Sequence, residues 1–239
     1  MKRFLFVLIA LPFFCVAQDK NVVSSTRVFP KSGKSLAFEK ALAAHAQKYH
    51  TGNWKWRIFT IESGPDAGGY QITEGPMSWD DLDTRGDLGK AHTADWETNI
   101  APLLLDKTGV TYAVYRIELS SVALTEFSNK IAINHVFYKP GTIEEVEDIL
   151  KKLKKAWDAS SQTVAVYEAS SSGEPSFSVV TRYKQGLKER ASGFRKPMKE
   201  RYNLANGENS WDAYVQGVKN TVDHSWSELL FFHPELSSK

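Results

Sequence analysis

"VFYKPGTIEEVEDILKKLKKAW", Val136 to Trp157, has a counterpart 108 residues upstream, "VFPKSGKSLAFEKALAAHAQKY", Val28 to Tyr49. The two agree at Val, Phe, Lys and Gly, and each then enters a run of helical period. A strand–turn–helix opening said twice at this distance implies two similar units, and such self-similarity decides architecture before any single segment does.

The second unit is the cleaner one. His135 to Lys139 reads as a strand and Pro140-Gly141 as a turn. Thr142 and Glu145 have the spacing of a capping box, and Ile143, Val146, Ile149, Leu150, Leu153 and Trp157 share one helical face. "TVAVYEA" and "SFSVVTRY" flank the turn "SSSGEP" and read as a hairpin. A polar helical stretch over 187–202 follows, then a helix capped by Ser210, then the strand "ELLFF".

The first unit repeats that order. "TRVFPK" opens it, and Phe38, Leu42, His45 and Tyr49 mark a helix face. "WKWRIFTIE" and "GGYQIT" form a hairpin around "SGPDAG". Ser78-Trp79-Asp80 starts a short helix, Trp96, Ile100, Leu103 and Leu104 mark a later one, and "TYAVYRIEL" closes the unit. Each unit is then β-α-β-β-α-β, the ferredoxin-like plan, over 19–120 and 134–239, with 121–133 as crossover. Strands such as "TVAVYEA" and "ELLFF" are apolar on both faces, so a sheet covered by helices on one side needs a second cover. The expected fold is α+β, with the two antiparallel sheets packed against each other around a barrel-like interior.

"MKRFLFVLIALPFFCVAQ", residues 1–18, joins Lys2 and Arg3 to an apolar run and a small residue at Ala17, the layout of a removable export signal. The run is short of the roughly 20 apolar residues a membrane helix needs. Phe13 and Phe14 before Cys15 break the small-residue pattern of a lipidated cysteine. Cleavage after Ala17 or Gln18 leaves a chain without cysteine, exported to the periplasm or beyond, with no stable membrane insertion. It carries 28 basic and 28 acidic residues, which argues against a nucleic-acid partner.

The order of elements resembles the dimeric α/β-barrel superfamily, with both halves fused in one chain. That grouping includes antibiotic-biosynthesis-type monooxygenases, NIPSNAP-like proteins, stress-responsive barrel proteins and haem-handling relatives. The resemblance covers nearly all of the chain after residue 18. It implies a cofactor-independent monooxygenase-like or haem-handling activity as one alternative.

The residues themselves are reticent about chemistry. No nucleophile elbow, P-loop or dinucleotide fingerprint is present. The six histidines form no compact ligand pattern, and without cysteines no metal site is expected. His45 falls on the sheet-facing side of its helix and reads as a buried histidine with one hydrogen bond, or as a functional one. His135 shares a strand face with Ile133 and Phe137, which makes it a barrel-lining candidate or a strand-end residue. Arg57 and Arg116 sit among apolar strand neighbours, where a guanidinium either pairs at a rim or lines a pocket for an anion. These four, Arg57, Arg116, His135 and His45, are the binding candidates. The expected function is non-catalytic binding of a small anionic or aromatic molecule between the sheets, with no cofactor. A structural or partner-binding protein is the remaining alternative, and the oligomeric state is left open.

Overall fold

The computed structural model describes residues 19–170 and 173–239, so the proposed export signal lies outside the described residues. Eight strands alternate with helices: β1 (Val22–Pro30), α1 (Ser35–Tyr49), β2 (Trp56–Ile61), β3 (Tyr70–Met77), α2 (Trp79–Thr84), α3 (Lys90–Asp95) and β4 (Leu104–Tyr115). Then come β5 (Lys130–Tyr138), α4 (Ile143–Ala159), β6 (Val164–Ala169), β7 (Ser176–Arg182), α5 (Met198–Asn206), α6 (Ser210–Thr221) and β8 (Val222–Phe232). All neighbouring strands are antiparallel and close into one barrel, β1-β3-β2-β8-β5-β7-β6-β4. Strands of the first half thus run β4-β1-β3-β2 around the wall, and those of the second half run β8-β5-β7-β6.

The inner faces of the two halves do meet, but by closure and not by face-to-face stacking. β2 pairs β8 through Phe59↔Phe232, Thr60↔Phe231 and Ile61↔Leu230. β4 pairs β6 through Ala113↔Ala169, Val114↔Glu168 and Tyr115↔Tyr167. The two-sided apolar strands then serve two cores at once. On β6, Ala165 and Tyr167 join the interior cluster around Phe59, Ile131, Ile133 and Leu230. Val164 and Val166 point outward under α4 with Val146, Leu150, Trp157 and Phe177. A separate outer core lies under α1, built on Phe38, Leu42, Ile58 and Ile72. Among the described residues no helix is long and apolar enough to cross a membrane.

Each half also ends on the other. "ELSS" occurs twice, at 118–121 and 235–238. Leu119 packs into the outer core under α4, and Leu236 into the one under α1. The serines that follow cap strand amides: Ser120 Oγ accepts from Val166 N and Ser121 Oγ from Val164 N, each at 2.9 Å. At the other seam Ser237 Oγ accepts from Ile58 N at 3.0 Å and Ser238 Oγ from Trp56 N at 2.9 Å.

Several local expectations change. β4 begins at Leu104, well before Thr111; much of its first half is exposed and carries no apolar alternation that could have marked it. It also stops at Tyr115, so Arg116 leaves the strand and precedes a 3₁₀ turn over Ile117–Leu119. β5 begins at Lys130, which puts His135 inside the strand and not at its end. The Trp96–Ile100 stretch is a π-helical turn continuing α3. The helix expected over 187–202 is a 3₁₀ turn at Leu187–Arg190 and then α5, with Gly193 at φ +85° and Pro197 between them. Thr142 does not cap α4, since its hydroxyl donates to the Lys139 carbonyl at 2.8 Å within the turn. The capping box is instead at Ser78 and Asp81.

Leu119→Ala leaves the barrel strands untouched but empties a fully buried clasp site. It should lower stability to urea unfolding by about 2–5 kcal/mol, and a loss under about 1 kcal/mol would show that the clasp is not structural.

Candidate functional site

Period-two alternation turns Ile131, Ile133, His135 and Phe137 of β5 inward, together with Ser178, Val180 and Arg182 of β7. With Arg27, Arg57, Phe59 and Trp226 from β1, β2 and β8, they line a cavity of about 410 Å³ inside the barrel. Its wall is mostly apolar, and its arginines fall into two sets. His135 pairs Ser178 across the ladder while Ile131 pairs Arg182. Four residues of strand, roughly 13 Å, therefore separate the two sets along that wall.

The first set is a closed ionic network. Arg27 donates to Glu228 Oε2 at 3.1 Å, to Gln71 Oε1 at 3.0 Å and to Asp66 Oδ2 at 2.8 Å, with a further bond to Glu228 Oε1. Glu228, with its side chain fully buried, also holds His135 Nε2 at 2.8 Å. His135 stacks on Trp226 with centroids 4.0 Å apart, and its Nδ1 lies 3.3 Å from Ser178 Oγ. Nε2–H donating to Glu228 and Nδ1 accepting from Ser178 is the tautomer this arrangement favours. Asp66 comes from the loop between β2 and β3 and also binds Lys107 Nζ at 2.7 Å. Partial burial pulls the Asp66 carboxyl upward, but Lys107 and Arg27 outweigh it and hold the group below the usual carboxylate range.

The second set is cationic and lacks counter-ions. Arg182 is buried, and its guanidinium donates to the carbonyls of Ala123 at 2.9 Å, Leu124 and Glu126, and to the Tyr167 hydroxyl at 2.8 Å. Every one of those partners is uncharged. Arg57 lies 3.4 Å above the Phe127 ring. Among the described residues neither Arg57 nor Arg182 forms an ion pair. Burial pulls the Arg57 guanidinium below its ordinary range, and nearby Arg182 adds to this while Tyr167 opposes it. Burial likewise pushes the Tyr167 phenol up, against the pull of the two arginines.

The other two sequence candidates lie elsewhere. Arg116 does not line the cavity; it binds Glu118 at 2.5 Å, Glu147 at 2.6 Å and Glu168 on the barrel's outside. Tyr115 belongs to the interior cluster, so the alternation of the strand itself turns the next residue, Arg116, outward. His45 is buried under α1, outside the barrel, with Nδ1 2.7 Å from Asp95 Oδ2. Arg27 and Arg182 were legible by the criterion that marks Arg57, a lone guanidinium amid strand apolars, while Glu228, Ser178 and Tyr167 carried no such mark.

The Asp66 pairing has a pH signature. Its stabilisation is complete above the ordinary carboxyl value of about 4 and is lost as pH falls through the lowered folded value. The stability gap between the wild type and Asp66→Asn should accordingly be open at pH 7 and close toward pH 3; a gap unchanged by acid contradicts the assignment.

No family model matches the chain, and no curated protein matches it in sequence. Solved structures do. A monooxygenase candidate from Lactobacillus acidophilus NCFM superposes with TM-score 0.54 at 10% identity, covering 92% of this chain and 96% of its own. An anthrone oxidase-like protein gives 0.55 at 14% identity, over 90% and 92%. A mutant chlorite dismutase of Candidatus Nitrospira defluvii gives 0.51 at 7%, over 90% and 92%. The likeness is one of fold, an α+β architecture around a closed antiparallel barrel, and it extends over most of each chain.

Proposed function

We propose that the barrel binds a small anionic organic molecule, its carboxylate on Arg57 and Arg182 and its flat apolar body against Phe59, Ile133 and Val180. One observation carries this: two guanidinium groups face a mostly apolar cavity, and among the described residues neither pairs with a carboxylate. A buried cation without a partner is costly, and a bound anion removes that cost while forming charge-assisted hydrogen bonds. The cavity volume falls within the roughly 300–1,000 Å³ of small-molecule pockets. Calorimetry with a panel of aromatic carboxylates and their amides tests it. The acids should bind and the amides should not, and Arg57→Met should weaken the acids by roughly 10- to 100-fold. Equal binding of acids and amides, or indifference to Arg57→Met, overturns the reading.

A second reading uses the same cavity for cofactor-independent oxygenation, and one observation favours it: His135, backed by Glu228, faces the space where the ligand's far end would lie. His135 Nδ1 would accept a proton from an acidic C–H or O–H, and Glu228 would stabilise the imidazolium. The likeness to a monooxygenase candidate and an anthrone oxidase-like protein agrees with it. Oxygen uptake with anthrone, abolished in His135→Gln, is the expected signal.

Haem fits this wall less well. Among the described residues His135 is the histidine that lines the cavity; Glu228 holds its Nε2, and iron would have to displace Ser178 from Nδ1. The repeated "ELSS" and the matching strand order support a fusion of two ferredoxin-like copies, and residues 1–18 support export.

A further inference from the structure

Outside the barrel, three imidazoles converge from separate places in the chain. His45 lies on the buried face of α1, His50 is the residue that ends α1, and His92 belongs to α3. One ring nitrogen from each lies within 4.8 Å of the other two. His50 Nε2 and His92 Nε2 face each other at 3.3 Å. His45 Nε2 is buried and has no hydrogen-bond partner.

We propose that His45, His50 and His92 form a site for a divalent transition metal of the zinc class, bound by three imidazoles with one open position.

Geometry supplies the first argument. Zinc–nitrogen bonds of about 2.0–2.1 Å in a tetrahedral shell place ligand nitrogens about 3.3–3.4 Å apart. The His50–His92 separation already has that value. The longest separation, no more than 4.8 Å, exceeds it by about 1.4 Å, within reach of side-chain rotation.

The surroundings supply the second. His45 Nδ1 is 2.7 Å from Asp95 Oδ2, and His50 Nδ1 is 3.3 Å from Glu74 Oε2 without hydrogen-bond alignment. A carboxylate behind a ring nitrogen fixes the proton there and turns the other nitrogen's lone pair toward a metal. Glu74 is itself held by Trp56 Nε1 at 2.8 Å and Arg85 Nη2 at 2.9 Å. Burial, with like charge from neighbouring histidines, keeps His50 and His92 below the ordinary imidazole range, which favours the neutral, ligating form.

The competing explanation is a plain hydrogen bond between His50 and His92. It leaves His45 Nε2 buried and unsatisfied, a cost of about 1–3 kcal/mol with nothing in return. A metal accounts for all three nitrogens at once. His92 is only partly buried, which gives the ion a way in. Bound there, the metal would tie α3 and its π-helical turn to α1.

The test uses the untagged full chain, stripped with chelator and titrated with Zn²⁺, and separately with Co²⁺. The expected result is one equivalent bound per chain, a raised melting temperature and the intense visible absorption of four-coordinate Co²⁺. Asp95→Asn should weaken binding by roughly 10- to 100-fold, and His92→Gln by more. His92→Gln should keep the wild-type circular dichroism without metal, so its loss of binding is not unfolding. Absence of stoichiometric binding in the stripped wild type overturns the proposal, as does binding that persists unchanged in His92→Gln.

Discussion

Closure of the barrel is the constraint on which everything else in this molecule depends. Either half alone would end in two unpaired strand edges, each with a row of unsatisfied N–H and C=O groups, and would expose one apolar sheet face. The β2–β8 and β4–β6 seams remove both problems at once. The seams are short, three residue pairs each, so the chain extends them. Beyond the ladder, Glu62 N donates to Leu229 O at 2.8 Å and Arg116 N to Val166 O at 2.9 Å. Serines 120, 121, 237 and 238 then take the remaining strand amides. Leu119 and Leu236 carry each half's end into the outer core of the other, so the halves are clasped as well as paired.

Closure also decides how the interior arginines are spent. Arg27 is neutralised by Glu228 and Asp66, and that network fixes His135 and its tautomer. Arg182 is satisfied by carbonyls and the Tyr167 hydroxyl, which hold the guanidinium without cancelling its charge. Arg57 lies over the Phe127 ring and, among the described residues, forms no ion pair. The cavity is therefore electrically uneven, balanced at the His135 end and positive at the Arg57 end. An anion bound there would even it. The three-histidine cluster is a separate device, built on α1 and α3 outside the barrel wall.

Much of the wall was legible in the chain, because half-buried strands write their alternation in apolar residues, as β5 does from Ile131 to Phe137. The double-sided strand β6 even predicted two cores. What failed to show had physical reasons. The exposed start of β4 has no alternation to read, and the inward-facing Tyr115 puts Arg116 on the outer face beside three carboxylates. Hydrogen bonds at the seams run between backbone groups, which every sequence supplies alike, so edge-to-edge closure looked the same as face-to-face packing. The repeated "ELSS" was visible, but its role as a clasp depends on contacts made across the molecule. His45 and His50 are near neighbours on α1, whereas His92 arrives from 42 residues on, a distance at which no spacing rule operates.

Native-state amide hydrogen exchange at the seams is the most direct test of the shared barrel. The account predicts that Glu62, Arg116, Ser170 and His233, whose amides bond across the seams, open with the same free energy as Ile133 and Val180 inside the second half's ladder. Seam amides that exchange freely while those ladder amides stay protected would mean two halves that fold and stand apart, and would contradict it.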